Sequence, residues 1–183
     1  MAKRIITPEF TGSFVNILQP AKPMQGQPAG DPKYTITMLF DKDTDLSALK
    51  ADAARAATEK WGADQSKWPK NMRSPFRDQG EKEYEGYVAG NICVTASTKD
   101  KPETVDENNN PIVESREIYS GARYVASVSA FAYDVNGNKG VSFGLGNVKK
   151  VKDGKPLGGK TRASDDFGPA KTPSAGTAAD VFG

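Results

Sequence analysis

The clearest pattern of apolar and polar positions lies over residues 119–154, where two alternating segments flank a glycine-containing turn. A period of two along each segment predicts a β-strand. One face of the first segment carries Tyr124, Ala126, Val128, Ala130 and Ala132, and the other carries Arg123, Val125, Ser127, Ser129, Phe131 and Tyr133. The second segment sets Val141, Phe143 and Leu145 against Ser142, Gly144 and Gly146. Because Gly137 and Gly140 permit positive φ, the turn is placed at residues 135–140, and the pattern predicts one long hairpin.

Further strands are predicted upstream of this hairpin. Residues 10–18 have the composition of a strand with a glycine at a bend or bulge. Residues 33–40 alternate cleanly, and residues 87–97 form a third apolar stretch. With residues 112–119, which lead into the hairpin, the chain is expected to contain five or six strands.

One helix is predicted between the second and third strands. Asp43 or Thr44 can cap its first turn, Asp45 suits the positive end of its dipole, and Gly62 stops it. Its apolar stripe is Leu46, Leu49, Ala53, Ala57 and Trp61. A mainly β chain with one inserted helix favours an OB-fold-like five-stranded barrel, the small barrel type that binds oligonucleotides and oligosaccharides.

The end of the chain differs in composition from the rest. After Gly158 the residues are mostly Gly, Ala, Ser, Thr, Pro and Asp, which predicts a domain at residues 1–159 and a flexible, weakly acidic tail at residues 160–183. The tail pairs acidic with bulky apolar residues at Asp165, Asp166, Phe167, Asp180 and Phe182. Such a tail can compete with a nucleic acid for a basic groove or dock on a partner protein, or it can simply keep the protein soluble.

The amino-acid composition limits the functions that the chain can have. The chain has 183 residues and a net charge of +2, so any affinity for nucleic acid must come from local patches of charge. It contains no histidine, the commonest general base and metal ligand, and Cys93 is expected to be a small core residue. A single cysteine forms no disulfide within the chain, which suits a reducing cytoplasm, and no apolar run is long enough to span a membrane. We therefore expect no enzymatic activity, cofactor or bound metal.

A set of aromatic and cationic residues remains as the candidate site. Several of its members lie in residues 63–83, a long polar segment of the kind that is usually functional or disordered. The candidates are Lys33, Tyr34, Trp68, Lys70, Arg73, Phe76, Arg77, Tyr119, Arg123, Tyr124, Lys149 and Lys150. Aromatic rings stack on bases of any sequence, and cations neutralise phosphates, so the set is typical of a groove for single-stranded nucleic acid. Each member, taken alone, also suits an ordinary core or a solvated surface.

The order of motifs resembles a family of single-stranded-DNA-binding proteins of tailed phages. The matching pieces are FTGSFVNILQPAKP, PKYTITMLFDKD, GYVAGNICVTASTKDKPETVD, the long block from EIYSGARY to KPLGG, and ASDDFG, over roughly residues 8–168. The resemblance implies an OB-fold with an inserted helix that binds single-stranded DNA with little sequence preference. It also implies work in phage DNA replication, recombination or repair in the cytoplasm of the bacterial host, with a tail that modulates DNA binding.

Other interpretations stay open at this point. The tail could contact phage replication or recombination proteins, and a homodimer is one assembly that the sequence allows. The alternative to a DNA-binding function is a virion or scaffold protein that uses the same sheet surface to contact protein.

Overall fold

The computed structural model describes residues 4–21, 32–82 and 84–157. Its strands are β1 (Ile5–Ile6), β2 (Phe10–Asn16), β3 (Tyr34–Phe40), β4 (Arg77–Asp78), β5 (Ile92–Thr98), β6 (Thr104–Val105), β7 (Arg123–Val135) and β8 (Asn138–Lys152). One α-helix, α1 (Ser47–Trp61), lies between β3 and β4. In this part of the chain no helix is long and apolar enough to cross a membrane. The predicted tail residues Asp165, Asp166, Phe167, Asp180 and Phe182 lie outside the described residues.

Five strands close into a ring in the order β2–β3–β5–β8–β7, with β7 pairing back onto β2. All of these pairings are antiparallel except that between β5 and β8, which is parallel. Counted along the chain, the ring strands follow the order 1-2-3-5-4, and α1 lies between the second and third of them. The prediction of a mainly β, OB-fold-like five-stranded barrel with one inserted helix is confirmed.

The barrel is filled by alternate residues of its strands, as the period of two predicted. The fully buried side chains include Phe10, Ile36, Met38, Val94, Tyr124, Val128 and Phe143. The apolar stripe of α1 packs against β7 and β8, with Leu49 and Ala57 buried. Gly62, with a φ of 94°, ends the helix as predicted. At its start, however, the Asp45 carboxylate, and not Asp43 or Thr44, accepts the Ser47 N–H at 3.0 Å.

The long hairpin is observed, with a tighter turn than predicted. Val135 pairs with Asn138, so the turn consists of Asn136 and Gly137, which have φ values of 52° and 81°. Two successive residues with positive φ are what a two-residue hairpin turn requires. Gly140, predicted to be part of the turn, lies inside β8. The third predicted strand is also shorter, since β5 begins at Ile92 and not at residue 87.

β2 contains a bulge at an unexpected residue. Ser13 pairs with Thr37 and Asn16 pairs with Thr35, so β2 advances three positions while β3 advances two. The bulge was predicted at a glycine, but the residue with positive φ is Phe14, at 47°. Asn16 holds the bulge closed, because its side-chain amide donates to the Phe14 carbonyl at 3.1 Å and to the Thr35 hydroxyl at 3.3 Å.

The segment between α1 and β5 runs across the outside of the barrel, and we call residues 72–91 the strap; Glu83 within it lies outside the described residues. Gln79 anchors the strap with a buried side chain. Its Nε2 donates to the carbonyl oxygens of Phe40 (3.1 Å) and Ile92 (2.8 Å), and its Oε1 accepts the Val88 N–H at 3.0 Å. Two hydrogen bonds therefore tie the strap to the ends of β3 and β5, and the third, from Val88, closes the strap on itself.

The beginning of the strap pairs with the hairpin. The Arg73 N–H donates to the Lys139 carbonyl at 2.9 Å, and the Val141 N–H donates to the Arg73 carbonyl at 3.1 Å. A Cβ atom on Gly140 would lie 2.8 Å from the Arg73 carbonyl oxygen and 2.6 Å from the Tyr133 hydroxyl. The missing side chain at Gly140 is therefore what lets the strap approach the hairpin.

Candidate nucleic-acid interface

A cleft of about 500 Å³ opens on the outer face of the barrel. Its floor is formed by β3 and β5, its walls are the strap and the hairpin, and the bulge of β2 closes one end. On the floor, the hydroxyls of Thr37 and Thr95 are 3.1 Å apart, within hydrogen-bond distance. In the barrel count, β3 and β5 are strands two and three, and β7 and β8 are strands four and five. This is the face, with the loop between strands four and five, that OB-folds use to bind oligonucleotides.

Three cations of the strap line the cleft: Arg73, Arg77 and Lys82. All three side chains are exposed. Arg77 is paired with Glu81, the Nη2 and Oε2 atoms lying 2.9 Å apart. Arg73 and Lys82 have no carboxylate within ion-pair distance among the described residues. Arg73 and Lys82 therefore bring to the cleft positive charge that no carboxylate of the described residues pairs with.

Aromatic rings cover the bulge end of the cleft. Phe14 and Tyr84 meet edge to face with ring centroids 4.9 Å apart, and Tyr84 meets Tyr87 in the same manner at 5.3 Å. Phe14 is 49% exposed and Tyr84 is 46% exposed. Tyr87 donates its hydroxyl to Ser13 Oγ at 2.9 Å, and burial raises its pKa, so it stays neutral and in place. The opposite wall contributes Tyr133.

Cys93 lies on the floor of this cleft, beside the strap. Its side chain is buried, at 7% exposure, and burial raises the pKa of the thiol. The thiol is therefore protonated at neutral pH and behaves as a small apolar group, as the sequence predicted.

The structure brings only some of the predicted residues to the cleft. Arg73 and Arg77 line it, whereas Trp68 and Phe76 pack against the core. Trp68 donates its Nε1–H to the Gly62 carbonyl at 2.7 Å, and Phe76 meets Phe143 edge to face at 5.9 Å. Both rings thus fix the segment between α1 and β5 to the rest of the protein. Four further candidates do not line the cleft: Lys33 and Lys70, which are exposed, and Tyr34 and Lys149, which are half-buried.

Tyr124 and Lys150 need correction, because the structure places both inside the protein. Tyr124 is fully buried, and its hydroxyl donates to the Tyr119 carbonyl at 2.7 Å, so no base can reach the ring. Lys150 is only 8% exposed and forms ion pairs with Glu117 at 3.1 Å and Asp153 at 2.6 Å. We call these five residues, Glu117, Tyr119, Tyr124, Lys150 and Asp153, the clasp. Its cation is already neutralised, so it offers no charge to a phosphate.

Tyr119 and Arg123 also have structural partners. The Tyr119 hydroxyl donates to Asp153 at 2.9 Å, and the Lys150 amine lies 5.1 Å from the centre of its ring. Arg123 pairs with Glu9 at 2.9 Å and donates to the Thr11 hydroxyl at 2.7 Å. Arg123 therefore joins β7 to β2 and lies outside the cleft.

Five residues of the cleft were missed by the sequence analysis: Phe14, Lys82, Tyr84, Tyr87 and Tyr133. Lys82, Tyr84 and Tyr87 lie within six consecutive residues, 82–87, and the two tyrosines of that stretch were a usable signal. For Phe14 no such signal existed, since strict alternation from Phe10 places it on the inward face.

Known proteins share both the sequence and the fold. A family model described as the ssDNA-binding protein of Enterobacter phage Enc34 matches residues 3–178. Protein p50 of Acyrthosiphon pisum secondary endosymbiont phage 1 is 35% identical over 165 residues, which cover 85% of this chain and 87% of that protein.

Two solved structures have a similar fold at low sequence identity. The ssDNA-binding protein of bacteriophage Enc34 in complex with ssDNA is 21% identical with a TM-score of 0.67, covering 85% of this chain and 89% of that one. The gp2.5 ssDNA-binding protein of bacteriophage T7 is 14% identical with a TM-score of 0.63, covering 97% and 99%. The described function of these relatives is binding and not catalysis, in agreement with the prediction that this chain is no enzyme. The match over nearly the whole length shows that the chain belongs to the family of the Enc34 phage single-stranded-DNA-binding protein.

Proposed function

We propose that this protein binds single-stranded DNA in the cleft, with little preference for sequence. The observation that carries the proposal is a convergence on the binding face of an OB-type barrel. Two cations without an ion-pair partner among the described residues meet half-exposed aromatic rings there. Cations that track phosphates and rings that stack on any base are the two parts of a sequence-tolerant single-strand site.

The phosphate-binding part is assigned to Arg73, Arg77 and Lys82. These residues line the same cleft as Thr37 and Thr95 of the floor, so a strand bound on the floor has its phosphates near them. Each phosphate that they neutralise releases condensed counterions, which makes affinity fall steeply with salt. The apparent affinity for a single strand is therefore expected to weaken strongly when the salt concentration rises from about 50 to about 200 mM.

Membership of the family supports a proposal for the biological setting. We place the activity in phage DNA replication, recombination or repair, in the cytoplasm of the bacterial host. Residues 160–183 are proposed as a tail that competes with DNA for the cleft or contacts phage replication proteins. A homodimer is the proposed assembly.

The test is fluorescence anisotropy of a labelled oligo(dT) strand at several salt concentrations. For the full chain we expect salt-sensitive binding, and for Arg73→Ala combined with Lys82→Ala a loss of at least about tenfold in affinity. The slope of log affinity against log salt should flatten by roughly 0.7 for each lost phosphate contact. The matched control is Lys50→Ala combined with Lys60→Ala, which removes two exposed lysines of α1 that do not line the cleft.

Two results would contradict the proposal. Absence of oligo(dT) binding at low salt would remove the single-strand function and favour a virion or scaffold role for the same surface. Equal losses for the cleft pair and for the Lys50→Ala, Lys60→Ala pair would show general charge attraction and no site in the cleft. A truncated chain of residues 1–161, measured beside the full chain, tests the tail, since tighter binding after truncation is the result expected of a competitor.

A further inference from the structure

Phe14 points away from the direction that its strand would give it. Phe10 is buried in the core, and a Cβ atom on Gly12 would touch the buried Tyr124 ring, so even-numbered residues at the start of β2 face inward. After the bulge the odd-numbered residues face inward instead, with Ile17 fully buried. The extra residue at the bulge turns Phe14 outward, and bulges are known to redirect a side chain next to a functional site.

The outward position of Phe14 lowers the stability of the fold in two ways. A φ of 47° lies in the left-handed region, which is uncommon for residues other than glycine and unfavourable for a bulky side chain. In addition, about half of a large apolar ring is left in contact with water. The other positive-φ residues besides glycine that the structure describes are Asn109 and Asn136, both of the residue type that tolerates this conformation in turns. Glycine is usual at such a bulge, so the fold itself gives no reason for a phenylalanine.

The ring is nevertheless held in a defined position. Tyr84 contacts it edge to face, and Tyr87 supports Tyr84 while its hydroxyl donates to Ser13, the neighbour of Phe14. The bulge and the strap are thereby joined through aromatic contacts at the end of the cleft. An exposed ring fixed from one side and open to a cleft is a stacking surface for a flat ligand.

We infer that Phe14, held by Tyr84, is the platform on which an unpaired base of the bound strand stacks. This inference rests on the proposed function and assigns separate roles to the residues of the cleft. Phe14 and Tyr84 take a nucleobase, and Arg73 and Lys82 take phosphates. The strained bulge is retained because it directs the ring into the cleft.

The experiment compares Phe14→Ala, Phe14→Gly and Phe14→Trp with the wild-type chain, using two probes of equal length. One probe is oligo(dT), and the other is an abasic strand with the same phosphate spacing but no bases. Loss of one stacked base weakens binding roughly five- to 150-fold, so Ala and Gly should each lose at least about fivefold on oligo(dT). Both should bind the abasic strand like the wild type, because their phosphate contacts are intact, and Trp should restore oligo(dT) binding.

Thermal unfolding separates the backbone strain from the ring. Phe14→Gly should melt about 2–4 °C above Phe14→Ala, since glycine relieves the left-handed strain that alanine keeps. Asn136→Gly in the hairpin turn is the matched control for a glycine at a positive-φ position away from the platform, and it should leave affinity for both probes unchanged.

The possible outcomes are distinct. If the Ala and Gly variants keep oligo(dT) affinity within about twofold, or lose equally on the abasic strand, the platform assignment is wrong while the single-strand function stands. If the wild type itself binds neither probe, the proposed function has failed. Fluorescence adds a direct signature, because a base stacked on Phe14→Trp should quench emission beyond any change shown by Trp61 and Trp68, which do not line the cleft.

Discussion

Two clusters of aromatic and cationic residues lie at different places on the barrel, and they differ in almost every physical respect. The cleft has half-exposed rings at Phe14 and Tyr84 and a lysine, Lys82, without a described carboxylate partner. The clasp has a fully buried ring at Tyr124 and a lysine, Lys150, between two carboxylates. In sequence the two look alike. The comparison teaches that a ring or a cation is available to a ligand only when the fold leaves it unsatisfied, and partners distant in sequence decide this.

The largest expected effect on stability is that of Tyr124→Ala, which tests whether the clasp is a structural cluster. Removing a buried aromatic side chain typically lowers the free energy of unfolding by about 3–5 kcal/mol, and here the clasp also loses its hydrogen bond to the Tyr119 carbonyl. Urea denaturation followed by circular dichroism measures the change. If the variant does not fold, Tyr124→Phe is the substitute, with an expected loss of about 1–2 kcal/mol from its unmade hydrogen bonds. A folded variant with full stability and reduced oligo(dT) affinity would return Tyr124 to the binding surface.

Lys150→Met has a smaller expected effect of the same kind. It leaves Glu117 and Asp153 without their cation, but both carboxylates are at least half exposed and can be hydrated. We therefore expect the free energy of unfolding to fall by about 1–2 kcal/mol, measured by urea denaturation. The salt slope of oligo(dT) binding should equal that of the wild type. A flatter slope would mean that Lys150 contacts phosphate, and the two clusters would then share one function.

The smallest expected effect is a gain in affinity for single-stranded DNA. Glu81 holds Arg77 in an exposed ion pair at the wall of the cleft, and in the proposed site a phosphate competes with this carboxylate for Arg77. Exposed pairs are worth roughly 0.2–1 kcal/mol, so Glu81→Gln should tighten oligo(dT) binding about two- to threefold at low salt. Glu59→Gln is the matched control, because Glu59 pairs with Arg55 on α1 and not with a cation of the cleft. Equal gains in both variants would indicate a general effect of net charge.

Local patterns in the sequence predicted the barrel well. Alternation along residues 123–133 gave the buried face of β7, and the stripe from Leu46 to Trp61 gave the face of α1 that packs on the sheet. These predictions succeeded because the period of a strand or a helix is set by its own residues. The tightness of the Asn136–Gly137 turn was missed, although Asn-Gly is the usual sequence for it.

The site was harder to predict because its parts depend on long-range contacts. Lys150 was expected to meet phosphate, and only the fold reveals Glu117 beside it, 33 residues away. Phe14 was not considered because a single residue with positive φ reversed the inward and outward sides of β2. Arg73 and Arg77, which line the cleft, were among the candidates because a long polar loop rich in cations is unusual, whatever path it follows.

The attachment of the strap to the hairpin has a consequence for how the chemistry of the cleft can vary. Arg73 is fastened to Lys139 and Val141 through main-chain atoms alone, which every amino acid except proline provides. The side chain at position 73 can therefore be exchanged without loosening that wall. The tolerance ends at Gly140, where a single methyl group would push the two segments apart. As long as position 140 is glycine, substitutions at position 73 can change the charge of the cleft without moving its wall.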